Sequence, residues 1–253
     1  MFLIDEQILG VAKLIKNSKR VVVLTGAGIS VESGIPDFRG PDGLWKRFDP
    51  NKVGTITSFL ANPEDWWKMA QEIAPVLFNA KPNPGHYALA EMEKMGKVEA
   101  IITQNIDGLH QKAGSKNVIE VHGNVRSASC IQCKKKYGIE YVISEVGKGN
   151  FIPRCTDCNG VVKVDVVMFG EMLPEEAISE AYRLAQECDL LIVVGSSLVV
   201  YPVAALPGMA INRGAKTVII NEEKTGYTRY ADYHIYGKAG EILPKIVETL
   251  KKI

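Results

Sequence analysis

The sequence predicts an α/β fold: a doubly wound parallel sheet with a smaller lobe inserted into it. Three observations carry this. Short apolar runs alternate with amphipathic stretches, as at 21–25, 98–104, 190–194 and 217–220, a rhythm that right-handed strand-helix-strand crossovers produce. The first run ends in a glycine turn, Thr25-Gly26-Ala27-Gly28-Ile29-Ser30. The rhythm then breaks between Asn124 and about Val164, where two Cys-x-x-Cys pairs fall.

Taken in order, residues 5–17 carry Ile8, Leu9, Val11, Ala12, Leu14 and Ile15, a helical stripe for packing on the first strand. The run 21–24 is apolar throughout and leads straight into Thr25, as a strand buried on both faces requires. Its glycine turn should lead into a helix N-terminus. Glycines admit a close anion, and the free N–H groups of a first helical turn point at it. The dehydrogenase pattern G-x-G-x-x-G is not met, because Val31 stands where its third glycine would be. Pro36-Asp37-Phe38-Arg39-Gly40 then puts an aromatic ring and a cation on a loop able to close over a dinucleotide.

Residues 43–57 read as irregular. Asn62-Pro63 starts a helix with proline in its first turn, and Trp66, Trp67 and Met69 on it suit a core or a pocket wall. Asn83-Pro84-Gly85 opens a further helix that ends at Gly96. Gln104, Asn105 and Asp107 follow the run 98–104. Polar groups there lie where ligands of open α/β sheets bind, outside the carboxyl ends of strands, although turn formation also explains such residues. A short strand at 118–121 ends in His122-Gly123. After the interruption the rhythm resumes at 164–169, with a helix at 174–187 and the strand 190–194, which Gly195-Ser196-Ser197 closes. A helix near 203–212, a strand at 217–220 ending in Asn221, and a last helix at 241–252 complete the chain.

At 253 residues, 46% hydrophobic and 23% charged, the composition is that of an ordinary globular protein. The net charge of +1 provides no field to draw nucleic acid or an anionic membrane. Asp5 and Glu6 near the start argue against a signal peptide, and no apolar run has membrane-spanning length. An intracellular, cytoplasmic protein is expected. Four of the 5 cysteines, Cys130, Cys133, Cys155 and Cys158, then suit thiolates on one tetrahedral zinc ion rather than disulfides. Four sulfurs leave no open position, so the metal is structural, standing in for a core too small to hold about 40 residues. Lys134-Lys135-Lys136 beside it reads as a solvated basic edge. Of the 4 histidines, His122 ends a strand, precedes a glycine that leaves room, and suits a general base near neutral pH. His110, three residues after Asp107, is adequately explained by a local hydrogen bond, and His86 and His234 lack chemical company. The residues alone point to a dinucleotide-binding enzyme with a zinc-stapled second lobe and leave the reaction open.

The motifs GAGISVESGIPDFRG, Thr103-Gln104-Asn105-Ile106-Asp107, Val121-His122-Gly123, Phe169-Gly170-Glu171 and Gly195-Ser196-Ser197, with the two cysteine pairs, stand in one order along the chain. In this the sequence resembles the sirtuin family of NAD-dependent protein deacylases, in a compact prokaryotic-type form with a four-cysteine zinc site. The resemblance implies a Rossmann-like NAD-binding domain from 1–40, 84–123 and 165–253, and a small domain from 41–83 and 124–164. It implies that Gly26, Ala27, Gly28 and Ser30 cradle the pyrophosphate, with Phe38 and Arg39 on the cofactor loop. Gln104, Asn105 and Asp107 surround the nicotinamide and its ribose, while Gly195, Ser196, Ser197, Asn221, Lys238 and Ala239 hold the adenosine half.

His122, with Asn105, is the implied catalytic residue. The acetyl oxygen attacks the ribose carbon that loses nicotinamide, and His122 helps deprotonate a ribose hydroxyl, so the products are free lysine, nicotinamide and O-acetyl-ADP-ribose. Acetylated protein is the implied partner, bound as an added strand against Val166, Phe169, Gly170, Glu171 and Val199. Relatives that prefer succinyl or malonyl groups resemble one another in a Tyr and an Arg on the helix corresponding to 63–78. This chain has neither residue type between 61 and 81, so Trp66, Trp67, Met69, Ile73, Val76 and Leu77 imply an apolar acyl pocket. A protein ADP-ribosyltransferase would use the same cradle, and a non-catalytic NAD sensor or a zinc-ribbon nucleic-acid binder would need no base.

Overall fold

The structure is a computed structural model and describes residues 2–40 and 43–253. The elements run α1 (Phe2–Asn17), β1 (Val21–Thr25), a 3-10 helix (Ala27–Ser33), a second (Leu44–Lys46), α2 (Pro50–Val53), α3 (Ile56–Ala61), α4 (Pro63–Asn79) and α5 (Pro84–Lys94). Next come β2 (Ala100–Thr103), α6 (Leu109–Ala113), β3 (Val118–Glu120), β4 (Gly123–Cys130), β5 (Lys136–Gly138), α7 (Ile139–Gly147) and β6 (Val162–Val166). The chain closes with α8 (Glu175–Glu187), β7 (Leu190–Val194), a 3-10 turn (Val203–Ala205), α9 (Leu206–Asn212), β8 (Lys216–Ile220), β9 (Tyr233–Ile235) and α10 (Ala239–Lys252).

Six strands form one parallel sheet in the order β3-β2-β1-β7-β8-β9. Apolar side chains leave both faces of its central strands. Val21, Val23, Ile101, Ile192 and Val218 join a core with α1, α5 and α10, whereas Val22, Leu24, Ile102, Leu191 and Ile219 join a second core with α8 and α9. Strand order runs outward in opposite directions from the β1/β7 pair. That pair is the topological switch point, and a crevice opens at its carboxyl end.

The second lobe is built on the antiparallel sheet β5-β4-β6. Phe59, Trp66 and Trp67 from α3 and α4 share a core with Val142 of α7 and with Val162 and Val164 of β6. Zinc is therefore not standing in for an absent core; the insertion borrows its apolar partners from the segment after residue 43. Among the described residues no helix is long and apolar enough to cross a membrane.

Three expectations need correction. Residues 43–57 are not irregular: the Asp49 and Thr55 side chains accept from Asn51 N (2.9 Å) and Ser58 N (3.0 Å) and so cap α2 and α3. The run 164–169 does not return to the parallel sheet, because β6 pairs with β4 and the chain only then crosses to α8. The glycine turn leads into a seven-residue 3-10 helix. Strand β9, three residues with a histidine at its centre, offers too short an apolar pattern to be read.

Candidate active site

The register pairs Thr25 with both Thr103 and Val194. The segments after β1, β2 and β7 therefore leave the sheet side by side. Gly26 N–H donates to the Val194 carbonyl (3.0 Å) and Gly28 N–H to the Gly195 carbonyl (2.8 Å). A Cβ on Gly26 would stand 2.8 Å from the Gly195 oxygen, and one on Gly28 would stand 2.7 Å from Gly195 Cα. Gly195 itself has φ of 59°. The glycines are thus required first by two turns pressed together. The Gly28 N–H, and the Ile29 N–H that donates to Gly26 O (3.2 Å), are spent within the protein, so the cradle has fewer open donors than an α-helix N-terminus would give.

Around this floor the polar side chains hold one another. Asn105 Nδ2 donates to the Gly26 carbonyl and to Ser30 Oγ, each at 3.1 Å. Ser30 Oγ donates to Asp107 Oδ2 (2.7 Å), whose other oxygen accepts from Leu109 N (2.9 Å). Ser30, Asn105 and Asp107 are all buried. Gln104 Nε2 donates to Ser196 Oγ at 2.8 Å.

His122 sits where β3 gives way to β4. Its Nδ1 lies 3.1 Å from the Gln104 carbonyl. A carbonyl only accepts, so Nδ1 carries the proton and Nε2 is left as the acceptor. Burial lowers the His122 pKa below the ordinary imidazole value, opposed by the bond to Gln104, so the ring is neutral at pH 7. Gly123 is obligatory next to it: φ is 74° and a Cβ would meet the Asp165 carbonyl at 2.0 Å. His110 does not bond Asp107; its Nε2 lies 2.9 Å from Thr25 Oγ1, and its ring is 4.9 Å from that of His86. Burial pushes His86 down to about 4 and His110 to about 3, which leaves both as neutral core residues. His86 thus has company in His110, as His234 has in Tyr236, on which it stacks at 4.0 Å.

Between this edge and the small lobe lies a cleft of ≈ 810 Å³. Ala27, Ser30, Gln104, Asn105, Asp107 and His122 line it on one side, Phe38 and Arg39 on the loop above, and Val166, Phe169, Gly170 and Glu171 at its edge. Phe38 packs on Trp45 at 5.1 Å. From α4 come Trp66, Trp67, Met69, Ile73 and Leu77, but not Val76, which is turned outward and replaced on the wall by Pro75 and Phe78. The sequence reading missed Ile139, Val142, Ile143 and Val146 of α7 on this wall. Their i, i+3, i+4, i+7 spacing was a visible signal.

The residues expected on the adenosine side lie along the same sheet edge rather than in this cleft. Ser197 is exposed, Asn221 follows β8 with its Nδ2 on the Glu223 carbonyl (2.8 Å), and Lys238 precedes α10. Gly240 N–H is taken by Glu32 Oε2 at 2.7 Å, so that helix terminus is already capped beside Ala239. Phe169 also needs correction as part of an added strand. Its N–H donates to Gly54 O (2.9 Å) and its carbonyl accepts from Ile56 N (3.0 Å), while Glu171 N–H donates to Met168 O (3.0 Å). In this segment Gly170 and the Glu171 carbonyl have no main-chain partner among the described residues and are left to pair with a peptide. Val199, 54% exposed, stands clear on the facing loop.

The four cysteine sulfurs lie within 4.8 Å of one another. Cys130 and Cys158 are 3.4 Å apart and Cys133 and Cys155 are 3.5 Å apart, close to the ~3.8 Å edge of a tetrahedron with Zn–S of about 2.3 Å. The two knuckles repeat one geometry. Lys134 and Asn159, each just after the second cysteine, have φ of 62° and 59°, and their N–H groups return to the Cys130 and Cys155 carbonyls at 3.1 and 3.0 Å. Tyr137 Oη donates to Cys155 Sγ (3.0 Å) and holds that thiol down to about 6. The donor set fits zinc, and it lies outside the cleft lining.

Comparison with known proteins follows this geometry. The family model described as Sir2 family matches residues 26–202. An NAD-dependent protein deacylase 2 of Archaeoglobus fulgidus is 50% identical over 250 residues, 98% of each chain. A solved structure concerned with the mechanism and regulation of Sir2 enzymes superposes with a TM-score of 0.93 at 49% identity, covering 98% of this chain and 99% of that one. A Sir2 complex with a deacetylated p53 peptide and 3'-O-acetyl ADP-ribose gives 0.91 at 44% identity, over 94% and 96%. With the family model spanning residues 26–202 and half of its residues shared with a deacylase along nearly its whole length, this chain belongs to the Sir2 family.

Proposed function

We propose that this protein removes acetyl groups from lysine side chains of other proteins, consuming NAD and yielding free lysine, nicotinamide and O-acetyl-ADP-ribose. The observation that carries the reading is His122: its Nδ1 proton is committed to the Gln104 carbonyl, which leaves Nε2 as a neutral acceptor on the cleft beside buried Asn105. A pure binding module has no use for such a base. The relative bound to deacetylated peptide and 3'-O-acetyl ADP-ribose supports the same reaction.

The residues fit a dinucleotide. The two turns at Gly26–Gly28 and Gly195 carry no Cβ that would fill the floor, and Asn105, Asp107 and Ser30 present a pre-formed polar cluster beside it. When bound, NAD supplies the acceptor for the acetyl group. Gly26, Ala27, Gly28 and Ser30 hold its phosphates, Phe38 and Arg39 cover it, and Gln104, Asn105 and Asp107 orient the nicotinamide end. Gly195, Ser196, Ser197, Asn221, Lys238 and Ala239 take the adenosine end. His122 Nε2 receives the proton of a nucleotide hydroxyl. Gly170, Val199 and the walls formed by Val166, Phe169 and Glu171 receive the peptide. The zinc ion on Cys130, Cys133, Cys155 and Cys158 is structural.

The division into 1–40, 84–123 and 165–253 against 41–83 and 124–164 is supported by the separate apolar cores of the two sheets, with Val166 and Met168 packing on the small-lobe side of that boundary and residues 41 and 42 lying outside the described ones. A cytoplasmic location and a protein rather than nucleic-acid partner complete the proposal, supported by the near-neutral charge. Incubation with NAD and an acetyl-lysine peptide, read by mass spectrometry, is the test. Equal amounts of deacetylated peptide and O-acetyl-ADP-ribose are expected; ADP-ribose fixed on protein would favour the transferase reading instead.

A further inference from the structure

Lys163 lies on β6 and is 8% exposed. An ammonium group has three N–H donors, and three acceptors surround this one. Nζ lies 2.7 Å from the Val166 carbonyl, 3.2 Å from the Val164 carbonyl and 3.1 Å from Glu171 Oε2. The same carboxylate oxygen accepts from Met168 N at 2.7 Å. A buried charge satisfied this fully is costly to leave half-made, because removing one partner strands the other.

The pair sits inside a loop tied down elsewhere by its main chain. Val167 N–H donates to the carbonyl of His122 at 2.9 Å, and Phe169 is bonded on both sides to Gly54 and Ile56. The turn from Met168 to Glu171 is closed by its own Glu171 N–H to Met168 O bond (3.0 Å), and the Glu171 side chain adds a second tie through Met168 N, with Gly170, φ of 88°, at its tip. Without Lys163 the Glu171 carboxylate would face two carbonyl oxygens with no counter-charge. Being partly exposed, it would turn to solvent and release Met168 N.

We propose that Lys163 is a positioning residue for the acyl-lysine peptide: through its ion pair with Glu171 it sets the turn 168–171 that forms the peptide side of the cleft. This rests on the deacetylase reading above. Lys163 touches neither the glycine floor nor the Asn105–Asp107 cluster, so its loss should register on the peptide and not on the nucleotide.

The experiment compares wild type, Lys163→Met, Lys163→Arg, Glu171→Gln and the Lys163→Met/Glu171→Gln double variant, using NAD and one acetyl-lysine peptide. Lys163→Met should raise the peptide KM about tenfold while kcat and the NAD Kd stay within about twofold, and Lys163→Arg should restore most of the loss. The double variant should be no worse than Lys163→Met, because both changes remove one interaction. Unchanged peptide KM in Lys163→Met, or additive losses in the double variant, would overturn the inference. So would NAD affinity falling in step with peptide affinity, which would mark a general loosening. If Lys163→Met does not fold, Glu171→Gln carries the test alone and should raise the peptide KM with NAD binding kept. Wild-type protein that leaves the acetyl-peptide intact would refute the deacetylase reading itself, a separate result.

Discussion

The two walls of the cleft hold their shape by different means. On the parallel-sheet side, Asn105, Ser30, Asp107, Gln104 and Ser196 are bonded to one another or to the backbone, and Gly26 and Gly28 touch Gly195 with no room for a methyl group. On the small-lobe side, Trp66, Met69, Ile73, Val142 and Val146 meet the cavity with apolar surface alone. Stranding one buried polar partner costs about 1–3 kcal/mol, whereas a methylene more or less against an apolar wall is worth about 0.8 kcal/mol. The first wall thus tolerates almost no change and serves the chemistry. The second tolerates changes of size but not of charge, and serves the choice of acyl group.

The largest effect should come from breaking the second wall while sparing the first. We expect about one zinc ion per chain, and Cys130→Ala should release it, collapse the small lobe and abolish deacetylation, while the parallel sheet remains folded. Metal analysis, amide exchange and activity on the same sample would check this. A zinc-free protein with full activity would show that the apolar wall stands without the metal.

Next in size is His122→Ala, which changes only the first wall. Turnover should fall by about 10²-fold or more, the usual scale for a positioned base, with NAD affinity altered far less. Steady-state rates and calorimetric NAD titration separate the two quantities. Wild-type turnover would move the search to another proton acceptor.

The acyl comparison probes the second wall directly. An acidic acyl chain among Met69, Ile73 and Val142 would bury a charge with no partner on that wall, at a cost of several kcal/mol. One peptide carrying acetyl or succinyl in parallel assays should therefore show about 10²-fold higher kcat/KM for acetyl, equivalent to roughly 3 kcal/mol. Equal rates would mean that a cation such as Arg39, which also borders the cleft, reaches the carboxylate.

The smallest effect is one of pH. The His122 pKa is lowered, chiefly by burial, and a base acts in its deprotonated form. That form predominates above its pKa, so kcat/KM should be nearly flat between pH 8 and 7 and fall only below the ordinary imidazole value of about 6.5. A pH profile with its acid limb above 7 would show that the ring is charged when free.

How much of this was legible depended on how local each cause is. The glycine turns, the polar residues closing 98–104 and the cysteine knuckles are each set by a few adjacent residues and stand in the sequence as such. Why Gly26 and Gly28 must be glycine is a different matter, since the obstacle is Gly195, in the turn after a strand far along the chain. The membership of β6 in the small sheet was partly legible, since Val162-Lys163-Val164-Asp165-Val166 alternates apolar and charged residues unlike the uniformly apolar strands of the parallel sheet, but only pairing with β4 assigns it. The occupied main chain of Phe169 is non-local for the same reason, since its partners Gly54 and Ile56 lie more than a hundred residues earlier in the chain. The α7 stripe, Ile139, Val142, Ile143 and Val146, is local and readable, set between the polar residues Glu140, Ser144 and Glu145.

Gly123 and Val166 face one another across the end rung of the β4–β6 ladder. The segment between them thus begins and ends at neighbouring points. An excursion whose ends already touch asks little loop-closure entropy of its host, and its own contents can lengthen, shorten or be exchanged without disturbing the register of the six strands. The segment between these two residues is in effect a cassette. Grafting a different zinc module into residues 124–161, with Lys163 and its ion pair to Glu171 kept, should leave the nucleotide floor intact while replacing the α7 face of the acyl wall, so that new acyl preferences could be acquired by transplanting one contiguous stretch.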